Sequence, residues 1–596
     1  MADTKAPQEP AKRALDPASE SWNKLPWRKL EQQVYRIQKR IFKAQSRGNT
    51  RAVHKLHKLL MKSRSARLLA VRRVTQDNQG KKTAGVDGVK TVQPAQRFVM
   101  ADQLHPKRWK PKAQPVRRMY IPKPGQAEMR PLGIPTMDER ARQALVKLAL
   151  EPEWEAEFEA NSYGFRPGRS CHDAIQAIHS DISHQAKYVL DADIRGCFDH
   201  INHQQLLLKL HTYPALRQVV KAWLKAGILT EGQYWPTEEG TPQGGVISPL
   251  LANIALHGLE KALWQTCSHA EGKLHIVRYA DDFVVFHPTL EGIEKARKTA
   301  TNWLQDMGLE LKPSKTRITH TLRTYQGQVG FDFLGFTVRQ FPVGKTHSAK
   351  DTRGNLLGFK TIIRPSKEAV KRHIDHLGKI VERAQATPQE NLIGKLNPVI
   401  RGWTNYYRTS AAASIFSSCD YYLYQQLRSW AVRRHHNKNM QEIKAKYWRT
   451  EAHRNWIFRS PQGHPLRSHG ETKIIRHVKV KGTASPYNGD LLYWSTRLRH
   501  HPLLTGLRGK LLQRQHGKCR WCELHFKDGD HIEVDHLTAR SQGGTWKIDN
   551  LVALHRHCHD QRHSKLSGGI HDKDCMTEEP DEVETLTSGF EDEPFS

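Results

Sequence analysis

The sequence predicts a multidomain α+β protein, on three observations. The chain has 596 residues, which at roughly 150 residues per domain makes about three to five structural units. Between residues 76 and 345, short β-branched runs alternate with helix-like stretches, punctuated by Gly85, Pro122, Gly133 and Pro242, as in a mixed body. Near the C-terminus, Cys519 and Cys522, and then His555 and Cys558, each stand with two residues between them, which marks a small separate module.

Taken in order, residues 1–25 are rich in Ala, Pro, Lys and Glu without periodicity and read as a disordered arm. Residues 26–75 alternate basic and apolar positions, with Leu56, Leu59, Leu60, Leu68 and Leu69 on amphipathic faces, and predict a basic helical extension. The mixed body follows at 76–345. From 346 to 450 helical, aromatic-rich spacing takes over, through Trp403, Tyr406, Tyr407, Tyr421, Tyr424 and Trp430. Pro398 is expected to end or bend one of these helices. Residues 451–505 are basic without a period, 506–570 form the Cys/His module, and 571–596 are an acidic tail expected to be unstructured.

Charge narrows the partners. Lys and Arg number 94 against 60 Asp and Glu, a formal charge of +34. A solvated basic surface is the plain reading, but a field of this size suits a polyanion, and nucleic acid rewards it through counterion release. No run of eighteen apolar residues occurs and Met1 to Pro10 has no signal-peptide core. The expectation is a soluble, cytoplasmic chain with no membrane partner. Eight scattered cysteines do not make a secreted disulfide framework and point to metal binding.

Two segments carry acids in a chemical arrangement. Tyr188 to Asp199 puts Asp191 and Asp193 at the end of an apolar strand, followed by Gly196 and Phe198; His275 to Phe286 reads strand, tight turn, strand, with Asp281 and Asp282 at the tip. Two distant strands then present three carboxylates together, which suits two magnesium ions about 3.5 to 4 Å apart and in-line phosphoryl transfer. Taken alone, an Asp-Asp pair is also what a polar hairpin turn carries.

The order of motifs decides between them. Arg130 to Thr136 (RPLGIPT), Tyr163 to Arg169 (YGFRPGR), the Asp193 segment, Thr241 to Pro249 (TPQGGVISP), Tyr279 to Asp282 (YADD) and Phe333 to Phe336 (FLGF) resemble, in this order, the reverse transcriptases encoded by group II introns. The resemblance implies a right-hand polymerase of fingers and palm, with Asp193, Asp281 and Asp282 as the catalytic Mg²⁺ ligands and Asp191 set aside. It implies that Phe198 blocks a ribonucleotide 2′-hydroxyl, although a core phenylalanine would look the same. Lys123 and Arg130 match triphosphate-binding positions of incoming deoxynucleotides, with a surface role as their alternative. Gln243 and Gly244 lie in a loop that would approach the nascent pair, and Lys315 would assist the leaving pyrophosphate.

The segment Leu392 to Arg408 has apolar or aromatic residues on one helical face, which alone means core packing. Its wording, Arg401-Gly-Trp-Thr-Asn-Tyr-Tyr407 above all, resembles the maturase domain of these proteins, a helical thumb that holds intron RNA. Arg401, Arg408, Arg433 and Arg434 are the expected RNA contacts, with a solvated helix face as the alternative. The RNA supplies the splicing chemistry, so no protein residue is assigned to it.

In the C-terminal module, Cys519, Cys522, His555 and Cys558 form a four-ligand set that matches a closed structural zinc site, although similar modules carry cysteine where His555 stands. Glu533-Val-Asp-His536, then Asn550, then His559 and His563 resemble an HNH nuclease of ββα-metal fold. This implies His536 as general base, Asn550 as the residue that orients its loop, and Asp535 with His559 as ligands of a divalent metal, His563 competing. Residues 451–505 would then position target DNA. The whole implies a protein of intron mobility: it aids splicing of its own intron RNA, nicks target DNA and copies the intron from the cut end. The alternatives are a splicing chaperone whose two catalytic sites are idle, and a reverse transcriptase of another retroelement.

Overall fold

A computed structural model describes residues 21–110, 112–122, 129–268, 270–451, 454–460, 463–490, 493–494, 497, 506–526 and 530–566. Three helices, α1 (Trp27–Gln45), α2 (Thr50–Lys62) and α3 (Arg64–Arg72), open the chain. Asn49 caps α2 by accepting from Ala52 N at 3.0 Å, which satisfies one of the first-turn donors. Val53, Leu56, Leu60, Leu68 and Val71 face inward while Leu59 stays exposed. The expected arm over 1–25 needs a correction at its end: Trp22 is buried edge-on against Trp27 (5.3 Å) and Phe98 (5.0 Å), because an indole there closes the helical core. Residues 1–20 lie outside the described residues.

Strands β1 (Val116–Pro122) and β2 (Met129–Ile134) pair antiparallel and begin a sheet ordered β2-β1-β4-β5, with β4 (Ile228–Thr230) and β5 (Gln233–Trp235). Helices α4 (Met137–Glu157) and α5 (Cys171–Ile182) lead to the second sheet, ordered β6-β7-β3-β8 and wholly antiparallel: β3 (Tyr188–Asp193), β6 (His275–Tyr279), β7 (Asp282–His287) and β8 (Arg317–His320). Helix α6 (Leu290–Asp306) packs on β3 and β7. The middle of β3 and β7 carries apolar residues on both faces because both faces are covered. Leu190, Ala192, Phe283 and Val285 enter one core; Val189, Val284 and Phe286, alternating with them, enter another. That second core also takes Phe336, Tyr406 and Tyr407, so the next domain is seated on the back of this sheet.

Two expected boundaries cut through sheets. Strands β9 (Phe331–Phe333), β10 (Phe336–Pro342) and β11 (Phe359–Pro365) form one antiparallel sheet, with β10 and β11 paired from Phe336↔Pro365 to Pro342↔Phe359. The boundary placed at 345 therefore falls inside a long hairpin. The helical thumb follows as α7 (Lys367–Arg383), α8 (Gln389–Tyr407), α9 (Ala413–Arg433) and α10 (Met440–Tyr447). Pro398 does not end α8. Its missing donor only leaves the Gly394 carbonyl without its helical partner. The boundary at 450 falls at the hairpin of β12 (Trp448–Glu451) and β13 (Arg454–Phe458), whose Trp448 and Phe458 join the thumb core.

The described part of 463–497 does not stand apart as a separate domain. His477 Nε2 and Val480 N meet Asp173 Oδ1 at 3.0 and 2.8 Å, Arg497 pairs with the same carboxylate, and Arg169 donates to the Gly482 carbonyl at 2.6 Å. The segment straps the thumb to α5. Last come α11 (Gly506–Arg514), the antiparallel pair β14 (Ile532–His536) and β15 (Leu551–His555), and α12 (Arg556–Leu566), a ββα unit with its own core. Among the described residues no helix is long and apolar enough to cross a membrane. The tail from 571 lies outside them.

Candidate functional site

The end of the β6-β7-β3-β8 sheet collects the first set of acids. In the β3–β7 register Asp193 stands opposite Asp282. Tyr279 pairs with Asp282 across β6 and β7, so Ala280 and Asp281 alone make the turn. Ala280 takes a φ of 57°, a conformation that costs a non-glycine residue, and three contacts hold it. Gly164 lies so close that a Cβ would stand 2.4 Å from Ala280 N. Arg278, buried in β6, donates to the Ala280 carbonyl and to Asn253 Oδ1, both at 3.1 Å. Sequence reasoning missed Arg278 and Asn253; a cation in the middle of an apolar strand was the available signal.

Cations face these acids. Lys315 Nζ is 3.2 Å from Asp193 Oδ2, and its loop is tied down where Lys312 N donates to the Asp193 carbonyl at 2.8 Å. Asp191, on the same strand, is paired with Arg317 at 2.9 Å. Burial pushes the carboxyl of Asp281 up to about 6, Asp193 adding repulsion against the pull of Lys315 and Arg130. Burial raises Asp282 as well, helped by Asp281 and Asp193.

Beside the acids, Gly196 (φ 48°) starts the short helix Cys197–His200, which carries Phe198 edge-on to Phe165 at 6.2 Å. The Gln243 loop is bound on two sides. Thr241 N donates to the Phe198 carbonyl (2.6 Å) and Gln243 Nε2 to Asp199 Oδ2 (3.2 Å), while Gly133 N of β2 donates to the Gln243 carbonyl (2.6 Å). At Gly244, φ 112°, a Cβ would press to 3.0 Å from the Gly133 carbonyl oxygen, so glycine suits this approach. Arg130 is on β2 opposite Ile121. Lys123 lies outside the described residues.

The four thumb arginines do not form one surface. Arg401 is buried inside the thumb, which corrects its assignment as an RNA contact. Arg434 donates to the carbonyls of Gln385 and Thr387 and lies over the Trp430 ring at 4.7 Å, closing the turn between α7 and α8. Arg408, half-buried, donates to the Lys473 carbonyl at 3.2 Å. Arg433 is exposed. Guanidinium groups cap carbonyls and stack on rings as readily as they meet phosphates, which is why spacing alone does not separate Arg401 and Arg434 from Arg408 and Arg433.

The ββα unit holds two further ligand sets. Cys519, Cys522, His555 and Cys558 are all buried, with their donor atoms within 4.8 Å of one another. His555 Nδ1 faces the thiols, 3.2 Å from Cys522 Sγ, and its Nε2 lies 3.4 Å from Asp530 Oδ2. An imidazole turned this way, with a carboxylate behind it, fits a tetrahedral metal ligand. The second set is Asp535, His559 and His563, again within 4.8 Å. His563 Nε2 is 3.3 Å from Asp535 Oδ1 and Arg562 Nη1 is 2.7 Å from Oδ2. Although burial opposes it, His563, His559 and Arg562 hold the Asp535 carboxyl below its ordinary range.

His536, at the end of β14, packs edge-on to Trp546 at 4.5 Å and keeps its Nε2 without a hydrogen-bond partner. Burial lowers its pKa from the ordinary 6.5, so the ring is neutral near pH 7. Asn550 clamps the loop that follows: Oδ1 accepts from Thr538 N (2.9 Å), Nδ2 donates to the carbonyls of Thr538 (3.1 Å) and Thr545 (2.9 Å), and its carbonyl accepts from Leu537 N (2.7 Å).

A two-faced palm sheet with acids at one end, a helical thumb behind it and a ββα ligand module define a nucleic-acid polymerase with an appended nuclease-type domain. Comparison with known proteins agrees segment by segment. Residues 22–104 match the N-terminal domain of reverse transcriptase, 121–338 the reverse transcriptase (RNA-dependent DNA polymerase) domain, 370–448 the group II intron maturase-specific domain, and 519–565 the HNH endonuclease domain. The group II intron-encoded protein LtrA of Lactococcus lactis subsp. cremoris is 30% identical over 394 residues, covering 52% of this chain and 63% of LtrA. Protein YkfC of Escherichia coli (strain K12) is 33% identical over 305 residues, 44% of this chain and 77% of YkfC. Maturase-like protein 1 of Euglena gracilis is 26% identical over 395 residues, 65% of this chain and 78% of its own. The chain belongs to the group II intron-encoded reverse transcriptase and maturase family, in a form with a C-terminal HNH domain.

Proposed function

We propose that the protein is an RNA-directed DNA polymerase and maturase of a group II intron, with an endonuclease that nicks target DNA. It would act in the cytoplasm as a ribonucleoprotein with its own intron RNA, using deoxynucleotides. The observation that carries this reading is the facing of Asp193 and Asp282 beside the Asp281 turn, with Lys315 against Asp193. Acids whose charge Lys315 and Arg130 offset only in part fit divalent cations, and Asp193, Asp281 and Asp282 would hold Mg²⁺. When bound, Mg²⁺ supplies positive charge at the triphosphate and favours ionisation of the primer 3′-hydroxyl.

The chain's own groups would do the rest. Arg130, and Lys123 by family likeness, take up triphosphate charge, while Lys315 orients Asp193 and is a cation within reach of the leaving pyrophosphate. Phe198, braced by Phe165, walls the sugar's 2′ side. Gln243 and Gly244 bring bare backbone to the nascent pair. In the nuclease, His536 Nε2 takes a proton from the attacking water, and Asn550 keeps its loop in place. Asp535, His559 and His563 would hold one divalent cation, and Cys519, Cys522, His555 and Cys558 a structural Zn²⁺. Arg433 and Arg408 remain candidates for intron RNA contact, and residues 451–505 for target DNA.

Primer extension on an RNA template with Mg²⁺ and deoxynucleotides tests the reading. Parent protein should extend the primer and Asp281→Ala should not, while both bind RNA alike. No synthesis by the parent, under conditions of tight RNA binding, would replace the polymerase with a splicing chaperone.

A further inference from the structure

Helix α12 has two working sides. Successive helical residues turn by about 100°, so His557 and His559 point in opposite directions. His559 and His563 share the side that meets Asp535. His557 and Gln561, one turn apart, share the other, and both meet the N-terminal helices.

Arg72, at the end of α3, is buried and donates from Nη2 to His557 Nδ1 at 2.6 Å. The same guanidinium reaches Glu31 of α1 at 3.2 Å and Asp77 at 3.4 Å, and lies over the Trp27 ring at 4.9 Å. Gln561 Nε2 donates to the Leu25 carbonyl. From the residue before β14 a further bond arrives, His531 Nε2 to the Asp77 carbonyl at 2.8 Å. A buried guanidinium with partners on several elements is satisfied in one arrangement and costly in others. It therefore specifies how the modules meet more than how tightly they do.

We propose that the N-terminal helical module is the docking platform of the nuclease, and that Arg72 is a positioning residue for α12. Docking takes the rear side of the helix and leaves the metal side, where His563 is 40% exposed, open to a DNA strand. The nuclease is thereby held at one separation from the polymerase centre, so the nick falls at a set distance from the DNA bound to the rest of the protein. This inference rests on the nuclease reading above.

Amide hydrogen exchange on the full-length, zinc-loaded chain tests it, with Arg72→Ala and Gln561→Ala compared with the parent. Arg72→Ala removes a charged hydrogen bond, so amides of α12 and of residues 24–31 should exchange about tenfold faster. Gln561→Ala should give about a twofold to threefold change in the same segments. In both, nicks on target DNA should spread to neighbouring positions, and Gln561→Ala should extend primers as the parent does. Unchanged exchange in both variants overturns the docking. If Arg72→Ala fails to fold by circular dichroism, Gln561→Ala decides alone. A parent that never nicks, but whose α12 protection responds as stated, upholds the docking and removes the nuclease reading.

Discussion

The palm and the nuclease both gather ligands for divalent metal, and they balance charge in opposite ways. In the palm, three acids from two distant segments come to the end of a buried sheet. Burial and mutual repulsion raise Asp281 and Asp282, and Lys315 and Arg130 offset only part of this. In the nuclease, one acid meets two histidines and Arg562, and Asp535 is held below its ordinary range. The palm site is poised to take up cations, and protons compete for it. The nuclease site is balanced within itself and depends instead on the Cys/His staple that holds the start of α12.

The largest expected effects separate the two sites outright. Asp193→Ala should lower cDNA synthesis by at least ~10³-fold, about 4 kcal/mol of transition-state stabilisation, with nicking unchanged. His536→Ala should lower nicking by ~10² to 10⁴-fold with synthesis unchanged. A variant of either kind that loses both activities breaks the division between the sites.

Removing the staple comes next. Structural zinc contributes on the order of 10 kcal/mol to the folding of small domains. Cys519→Ser should therefore release one zinc per chain, abolish nicking and remove one melting transition, leaving primer extension in place. If the melting profile and metal content match the parent, the four residues do not hold zinc.

Acidity should then tell the sites apart by a smaller margin. The folded pKa of Asp281, about 6, lies above its unfolded value near 3.9. In metal-free protein its ionisation therefore costs stability as pH rises from about 4 through 6, and Mg²⁺ offsets that cost. Mg²⁺ should raise the melting temperature of the polymerase more at pH 8 than at pH 5. The Mg²⁺ needed for half-maximal synthesis should climb by up to about tenfold per pH unit below 6. His536, its pKa lowered below 6.5 by burial, stays mostly neutral at pH 6.5, so the base itself should not limit nicking there. Equal Mg²⁺ stabilisation at both pH values would contradict the charge imbalance assigned to the palm.

The counter-cations should give the smallest contrast. Lys315→Ala removes the palm's compensating charge and should cut synthesis about tenfold, with a higher Mg²⁺ requirement. Arg562→Ala frees one oxygen of Asp535 and should change nicking only about threefold, as two histidines still face the acid. Comparable losses in both would mean that the two sites are charge-balanced alike.

The acids, the HNH-like residues and the Cys/His set that the structure brings together could be picked out in the sequence because the chemistry proposed for them accepts few residue types at narrow spacings. The palm hairpin followed from two apolar runs around the acids, since a strand covered on both faces must be apolar on both, and the ββα unit followed from the HNH resemblance. Tertiary structure decided what spacing leaves open. It turned Arg401 inward and set Arg434 on carbonyls and a tryptophan, because a guanidinium satisfies a helix turn as well as a phosphate. It carried α8 through Pro398 and joined β10 to β11 across an expected boundary, because helix and sheet pairing answer to neighbours far along the chain. It enlisted Arg278 and Asn253 to hold the Asp281 turn, and aimed His555 Nδ1 at three thiols. Residue type and order by themselves determined which chemistries this protein can hold; long-range packing decided which side chains are free to perform them.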